Sequence, residues 1–177
     1  IFGLLIYLNI FHLSHWLDSD MAAEMIFSRL LAEENKWFAT TNWYYSSEFR
    51  ILYTQLVMGP LFRWTQNWHV VRAMTNLVFY VLLFGSYGYM MRPLKLQKKW
   101  VIWTGIILLL PFSETLMTHM QMGNTYMSHL ILVFIIFGIF LRLADATVQK
   151  EKLPKGKLQR GELFCLYILL NLICGMS

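Results

Sequence analysis

The run VVRAMTNLVFYVLLFGSYGYMM, Val70 to Met91, decides how the rest of the chain is read. Its only charged side chain is Arg72, and its length matches the ~20 apolar residues that a helix needs to cross a bilayer. Similar stretches recur on either side. Spans are expected over about 1–17, 70–91, 100–117, 126–143 and 163–177, about five in all. The third, from Trp100 to about Phe112, is short for ~30 Å of hydrocarbon. It is expected to tilt, to thin the bilayer, or to extend through Glu114 to Met117.

Composition agrees with a membrane protein: 57% of the residues are apolar, 16% aromatic and only 14% charged, against about a quarter charged in a soluble domain. The chain opens on Ile1 and closes on Ser177 inside apolar runs, so a fragment truncated at both ends is expected. A cleaved signal peptide fits 1–17 less well, because no small-residue cleavage site follows it. The expected fold class is all-α, a polytopic transmembrane helical bundle. Cys165 and Cys174 both fall in the last apolar run and are expected as lipid-facing or core thiols, not a disulfide.

The net charge of +5 is informative through its location. Arg92, Lys95, Lys98 and Lys99 form one basic cluster, and Lys150, Lys152, Lys155, Lys157 and Arg160 form another. Each lies between apolar segments, where positive-inside residues belong. Nucleic acid is the weaker partner, because no aromatic and basic residues interleave in a soluble stretch. With 92–99 and 144–162 cytoplasmic, the first span runs outward and the loop 18–69 is external. That loop carries six acidic and four basic residues, the opposite bias from the cytoplasmic side.

The external loop is not a polar linker. Asp20 to Glu34 is helix-forming, with apolar residues almost all round. After the aromatic stretch KWFATTNWYY, the segment SSEFRILYTQLVMGP reads as a second helix, capped by Ser46 or Ser47 and broken at Gly59–Pro60. Its stripe is Phe49, Leu52, Tyr53 and Leu56. With Trp37, Trp43, Trp64 and Trp68 nearby, the two are expected to be amphipathic helices lying at the membrane interface.

Two aspartates, Asp18 and Asp20, stand at the outer end of the first span. One reading is structural: Asp18 caps the following helix and Asp20 is solvated beside Glu24. The other is functional, because carboxylates at the edge of the hydrocarbon are costly unless used. There they would accept a proton from a nucleophile or hold a divalent cation.

The order of elements DSDMAAEMIFSRLLAEENKWFATTNWYYSSEFRILYTQLVMGPLFRWTQNWHVVR resembles the first external loop of the GT-C membrane glycosyltransferases. The likeness is to the group dependent on polyprenyl- or dolichyl-phosphate sugars, which includes protein mannosyltransferases and aminoarabinose transferases. The quoted features are an Asp after the first span, the Ala23-Glu24-Met25 step, the EFRILYTQLVMGPLF helix, and NWHVVR leading into the second span. In architecture it extends over about 1–143; specific residues match only in this loop.

The resemblance implies that Asp18 is the catalytic base for a sugar transfer. Asp20 is offset from the family's usual second acidic position, which Ser19 occupies, so Asp20, Glu24 and His15 are possible metal or acceptor residues. Arg50 and Arg72 would bind the donor phosphate; for Arg50 the equal alternative is snorkelling, and for Arg72 anchoring of the second span. A second site in the loop 113–125 would involve Glu114, His119 and Asn124. His119 and His129, ten apart, make no metal motif, and the methionines of this loop read as packing. His12 would approach the same cleft as His15.

The implied donor is a polyprenyl-phosphate-linked sugar, with a divalent metal neither required nor excluded. The implied setting is a multi-pass protein of the bacterial cytoplasmic membrane, with membrane lipid and the lipid-linked sugar as partners and no nucleic acid. Two other readings remain: a non-catalytic lipid-binding or transport/export protein, and a lipid-linked polymer ligase or polymerase.

Overall fold

The computed structural model describes residues 1–12, 17–45, 53–110, 112–113, 115–117, 120, 125–148 and 157–175. These residues are helical or in turns, with no strand among them. The helices are α1 (Phe2–Phe11), α2 (Ser19–Glu33), α3 (Gln55–Phe62), α4 (Trp68–Met91), α5 (Lys98–Leu108), α6 (Thr125–Val148) and α7 (Lys157–Gly175).

Helix α4 is the spine. Asn67 starts it, its side chain accepting from Val70 N at 3.2 Å, which satisfies an amide that the helix itself cannot pair. Its 24 residues rise about 36 Å. Helix α1 lies antiparallel on it. His69 Nε2 sits 3.0 Å from Ile10 O near one end, and the Phe2 ring meets Phe84 edge-on at the other. Helix α5 is also antiparallel, with Tyr87 and Thr104 hydroxyls 2.6 Å apart and Leu109 in the same buried cluster as Phe79, Tyr80 and Leu83.

Helix α6 runs parallel to α4. Met127 enters that cluster, Phe134 stacks edge-on against Tyr87, and Gly138 lies under Tyr89. A Cβ on Gly138 would stand 2.6 Å from the Tyr89 ring and 3.1 Å from Met90 Cα. The absent side chain is what lets the two helices approach. Among the described residues two stretches are long and apolar enough to cross a membrane, Trp68–Leu94 and Met127–Ala144. Only 33% of the second is buried within the protein, whereas a soluble core helix would be mostly covered. Val78, Val81 and Leu82 on α4, and Val133, Phe137 and Phe140 on α6, face outward.

Helices α2 and α3 form a pair against the first turns of α4. Met25, Met58, Phe62 and Val71 bury one another, Ser28 Oγ donates to Met58 Sδ at 3.7 Å, and Arg29 lies over the Trp68 ring at 5.3 Å. Helix α2 ends where Asn35 takes a left-handed φ of 56°, which Asn tolerates better than most residues. That turn sends Lys36 N back to Leu31 O at 2.8 Å.

Several expectations are corrected. Of the five expected spans, two are long and apolar enough to cross among the described residues, and parts of the other three lie outside those residues. Helix α5 covers 11 residues, about 16 Å, and does not continue to Met117. Leu109 N and Leu110 N already bond in a tightened last turn to Ile106 O and Ile107 O, and Pro111 follows, disfavouring helix at the preceding residue. Helix α1 has 10 residues; the rest of the expected span, 13–16, lies outside the described residues.

Helix α7 begins at Lys157, six residues before the fifth span is expected to start at 163. With α6 running to Val148 and α7 starting at Lys157, helix occupies both ends of the loop expected over 144–162. Gly59–Pro60 does not break α3, which continues to Phe62. Gly59 has no Cβ to clash with the proline ring, and buried Met58 and Phe62 hold both sides of the Gly–Pro step against α2 and α4. Phe49 and Leu52, with the proposed caps Ser46 and Ser47, lie outside the described residues; Tyr53 is buried.

Candidate functional site

The site gathers where α2 begins beside the start of α4. Asp18 precedes α2 in extended conformation, and its Oδ1 accepts from Met21 N at 2.8 Å. It is therefore the N-cap that one reading of the sequence expects. It is also solvent-exposed, so capping does not remove the carboxylate from chemistry. Asp20, in the first turn, is exposed as well and complements the positive end of the helix dipole.

Glu24 lies one turn beyond Asp20, turned towards α4. Its Oε2 is 3.1 Å from Arg72 Nη1. The Arg72 side chain is fully buried and that of Glu24 is 14% exposed. The Asp18 carboxylate also acts electrostatically on the guanidinium. Three charged groups from positions 18, 24 and 72 thus converge, two of them anionic. Removing one partner from such a pair leaves an uncompensated buried charge, which costs about 3–5 kcal/mol.

A polar seam continues from this cluster between α1 and α4. Arg72, Asn76 and Tyr80 recur every four residues on one face of α4. Asn9 of α1 meets them: Asn76 Nδ2 donates to Asn9 Oδ1 at 2.9 Å, and Asn9 Nδ2 donates to Leu5 O at 2.8 Å and to the Tyr80 hydroxyl at 3.3 Å. Thr75 Oγ1 donates to Val71 O at 2.8 Å. Asn9, Arg72, Thr75, Asn76 and Tyr80 are all fully buried. In an apolar bundle such groups survive only by pairing with one another.

Of the residues singled out in the sequence, the structure brings together Asp18, Glu24 and Arg72. Asp20 stands at the edge of the group. His15, Arg50, Glu114, His119 and Asn124 lie outside the described residues; His129 is half-buried on α6. Among the described residues no group of three His, Cys, Asp or Glu side chains converges as a metal site. Asn9, Asn76 and Tyr80 were missed by the sequence reading. Their signal was available, because an amide in the middle of an apolar run (YLNIF, MTNLV) marks a position that needs a partner.

Arg72 was expected to bind a donor phosphate or to anchor its helix. Its guanidinium is not presented to solvent; a carboxylate of the protein occupies it. An anion would either displace Glu24 from Nη1 or share the guanidinium with it through the remaining N–H groups. What it does as it stands is fix the start of α2, and with it Asp18, relative to α4.

By fold and site this is a helical chain with, among the described residues, two helices long and apolar enough to cross a membrane and a charged cluster at one end of the first of them. No known protein family, curated protein or solved structure matches it.

Proposed function

We propose that the chain belongs to a membrane glycosyltransferase of the GT-C kind, with Asp18 as general base. The observation that supports this reading is the convergence of Asp18, Glu24 and Arg72. The resemblance picked these three from positions up to 54 residues apart, and the contact of Glu24 with Arg72, on the helix that Asp18 caps, is what supports reading them as one site. The parallel course of α4 and α6, with α1 and α5 antiparallel, also suits a multi-pass bundle in which 18–69 faces outward and 92–99 faces the cytoplasm.

A lipid-linked sugar would reach the site laterally from the outer leaflet. Asp18 takes the proton of an acceptor hydroxyl or amine as that atom bonds to the anomeric carbon. The bond from the anomeric carbon to the phosphate oxygen breaks, and polyprenyl phosphate leaves. One carboxylate base suffices for this direct displacement, so inversion is expected. The Glu24–Arg72 pair holds α2, and so Asp18, in place. Arg72, with Arg50, remains the proposed phosphate contact, by displacing Glu24 or sharing the guanidinium with it.

The test is sugar transfer from a polyprenyl-phosphate sugar by the full-length protein and its Asp18→Asn variant. Asn caps a helix as well as Asp does, so the helix survives while the base is lost. A fall of about 10²–10⁴-fold is expected, the usual worth of a positioned base. Activity like the wild type removes Asp18 from the mechanism.

The complete burial of Arg72 against Glu24 favours one second reading, a non-catalytic lipid-binding or export protein in which the pair is a structural clamp. A photoreactive polyprenyl-phosphate probe separates the two. Labelling with turnover supports the transferase; labelling without turnover supports the binding protein.

A further inference from the structure

The turn between α4 and α5 is the most strongly charged surface among the described residues. Arg92, Lys95, Lys98 and Lys99 are all exposed, and no Asp or Glu occurs anywhere between Glu48 and Glu114. Lys95 adopts a left-handed φ of 53° and its N–H returns to Arg92 O at 3.2 Å. Arg142 of α6 adds a fifth cation at the same end of the bundle, lying over the Tyr89 ring at 3.6 Å and donating to Tyr89 O at 3.4 Å. The positive end of the α5 dipole points into this cluster.

Helix α5 has two unlike faces. One is packed on α4, with Gly105 so close to Phe84 that an added Cβ would lie 2.6 Å from its ring and Thr104 joined to Tyr87. The other carries Trp100, Trp103 and Ile107 at helical spacing, 58%, 61% and 53% exposed. Lys99 Nζ sits 5.6 Å from the Trp100 ring, at the junction of the basic and apolar parts. The helix rises about 16 Å, close to the depth of one leaflet of a hydrocarbon core about 30 Å thick.

We propose that this surface is a binding site for an anionic phospholipid. The phosphodiester sits among Arg92, Lys95, Lys98 and Lys99, and an acyl chain lies along the Trp100–Trp103–Ile107 stripe. Charge complementarity selects the headgroup, because a zwitterionic lipid brings a cation into a cluster that has no carboxylate within its own segment. The acyl chain follows from the apolar Trp100–Trp103–Ile107 face lying directly beside the basic cluster, joined to it at Lys99 and Trp100. The site rests on the chain being embedded in a membrane and is independent of sugar transfer.

The test is tryptophan quenching in vesicles by lipids brominated on the acyl chain, comparing phosphatidylglycerol with phosphatidylcholine at equal minor fractions. The signal from Trp100 and Trp103 is isolated by difference from a Trp100→Phe/Trp103→Phe variant. Brominated phosphatidylglycerol is expected to quench that difference signal at least roughly twice as strongly, since each basic side chain near an anionic surface favours it about fivefold. Arg92→Gln/Lys95→Gln/Lys98→Gln/Lys99→Gln should equalise the two lipids, whereas lysine-to-arginine exchange at the three lysines should keep the preference. Equal quenching of the wild type by both lipids overturns the site while leaving membrane embedding intact. Quenching by neither lipid overturns membrane embedding and the site with it.

Discussion

At the scale of single residues, the pair Glu24–Arg72 links the capping role of Asp18 to the catalytic role proposed for it. The cap explains why an aspartate stands there; the pair explains why its position is fixed relative to α4. Arg72→Met should destabilise the chain by about 3–5 kcal/mol, because it leaves Glu24 without its cation. Glu24→Gln/Arg72→Met together should recover much of that loss, and denaturant unfolding of the four proteins of the cycle measures the coupling. Simple addition of the two losses would show that the two side chains do not act as a pair.

Glu34 provides a separate check outside the spans. Its bonds to Thr40, Lys36 and Asn42 hold its carboxyl down to about 2. The folded value lies below the ordinary one, so its stabilisation of the 34–42 turn is full above about pH 4.5. It is lost as pH falls towards about 2. Trp43, whose ring packs on Phe27, reports this turn. Its fluorescence should hold through pH 4.5 and change only below it, and Glu34→Gln should abolish that acid transition.

At the scale of elements, close approach of backbones decides which helices pair. Gly138→Ala should cost about 1–3 kcal/mol, since the new methyl meets both the Tyr89 ring and the α4 backbone. Gly85→Ala, on the same spine but facing open space, should be neutral or stabilising by up to about 1 kcal/mol. Thermal unfolding of both in one detergent makes the comparison, and equal effects would show that α4 and α6 do not pack as described.

The helices were unequally legible. Asp18 and the apolar periodicity announced α2, and the long apolar runs placed α4 and α6 to within a few residues at most ends. Helix α5 was drawn too long because apolar character continued through Leu110 while Pro111 went unweighed. Helix α3 was misread in the opposite sense: Gly59–Pro60 looks like a stop until tertiary burial of Phe62 outweighs it. The Glu24–Arg72 contact joins positions 48 apart, and no local pattern shows it. The amides Asn9 and Asn76 were visible in their apolar runs but not their mutual partnership, which depends on how α1 lies across α4.

For the whole molecule, direction is what makes the parts consistent. Helices α4 and α6 run one way while α1 and α5 run the other, so Asp18, Glu24 and Arg72 gather at one end of α4 and Arg92 to Lys99 at the opposite end. The proposed orientation has a bilayer between them, with the proposed sugar transfer on the outer side and the proposed anionic headgroups on the inner. Side-specific thiol labelling tests this most directly. In a Cys165→Ser/Cys174→Ser background, Trp64→Cys and Lys95→Cys each put one thiol at an exposed position. A membrane-impermeant maleimide applied to intact cells should label position 64 at once and position 95 only after permeabilisation. Labelling of both positions in intact cells, or of 95 alone, would contradict it.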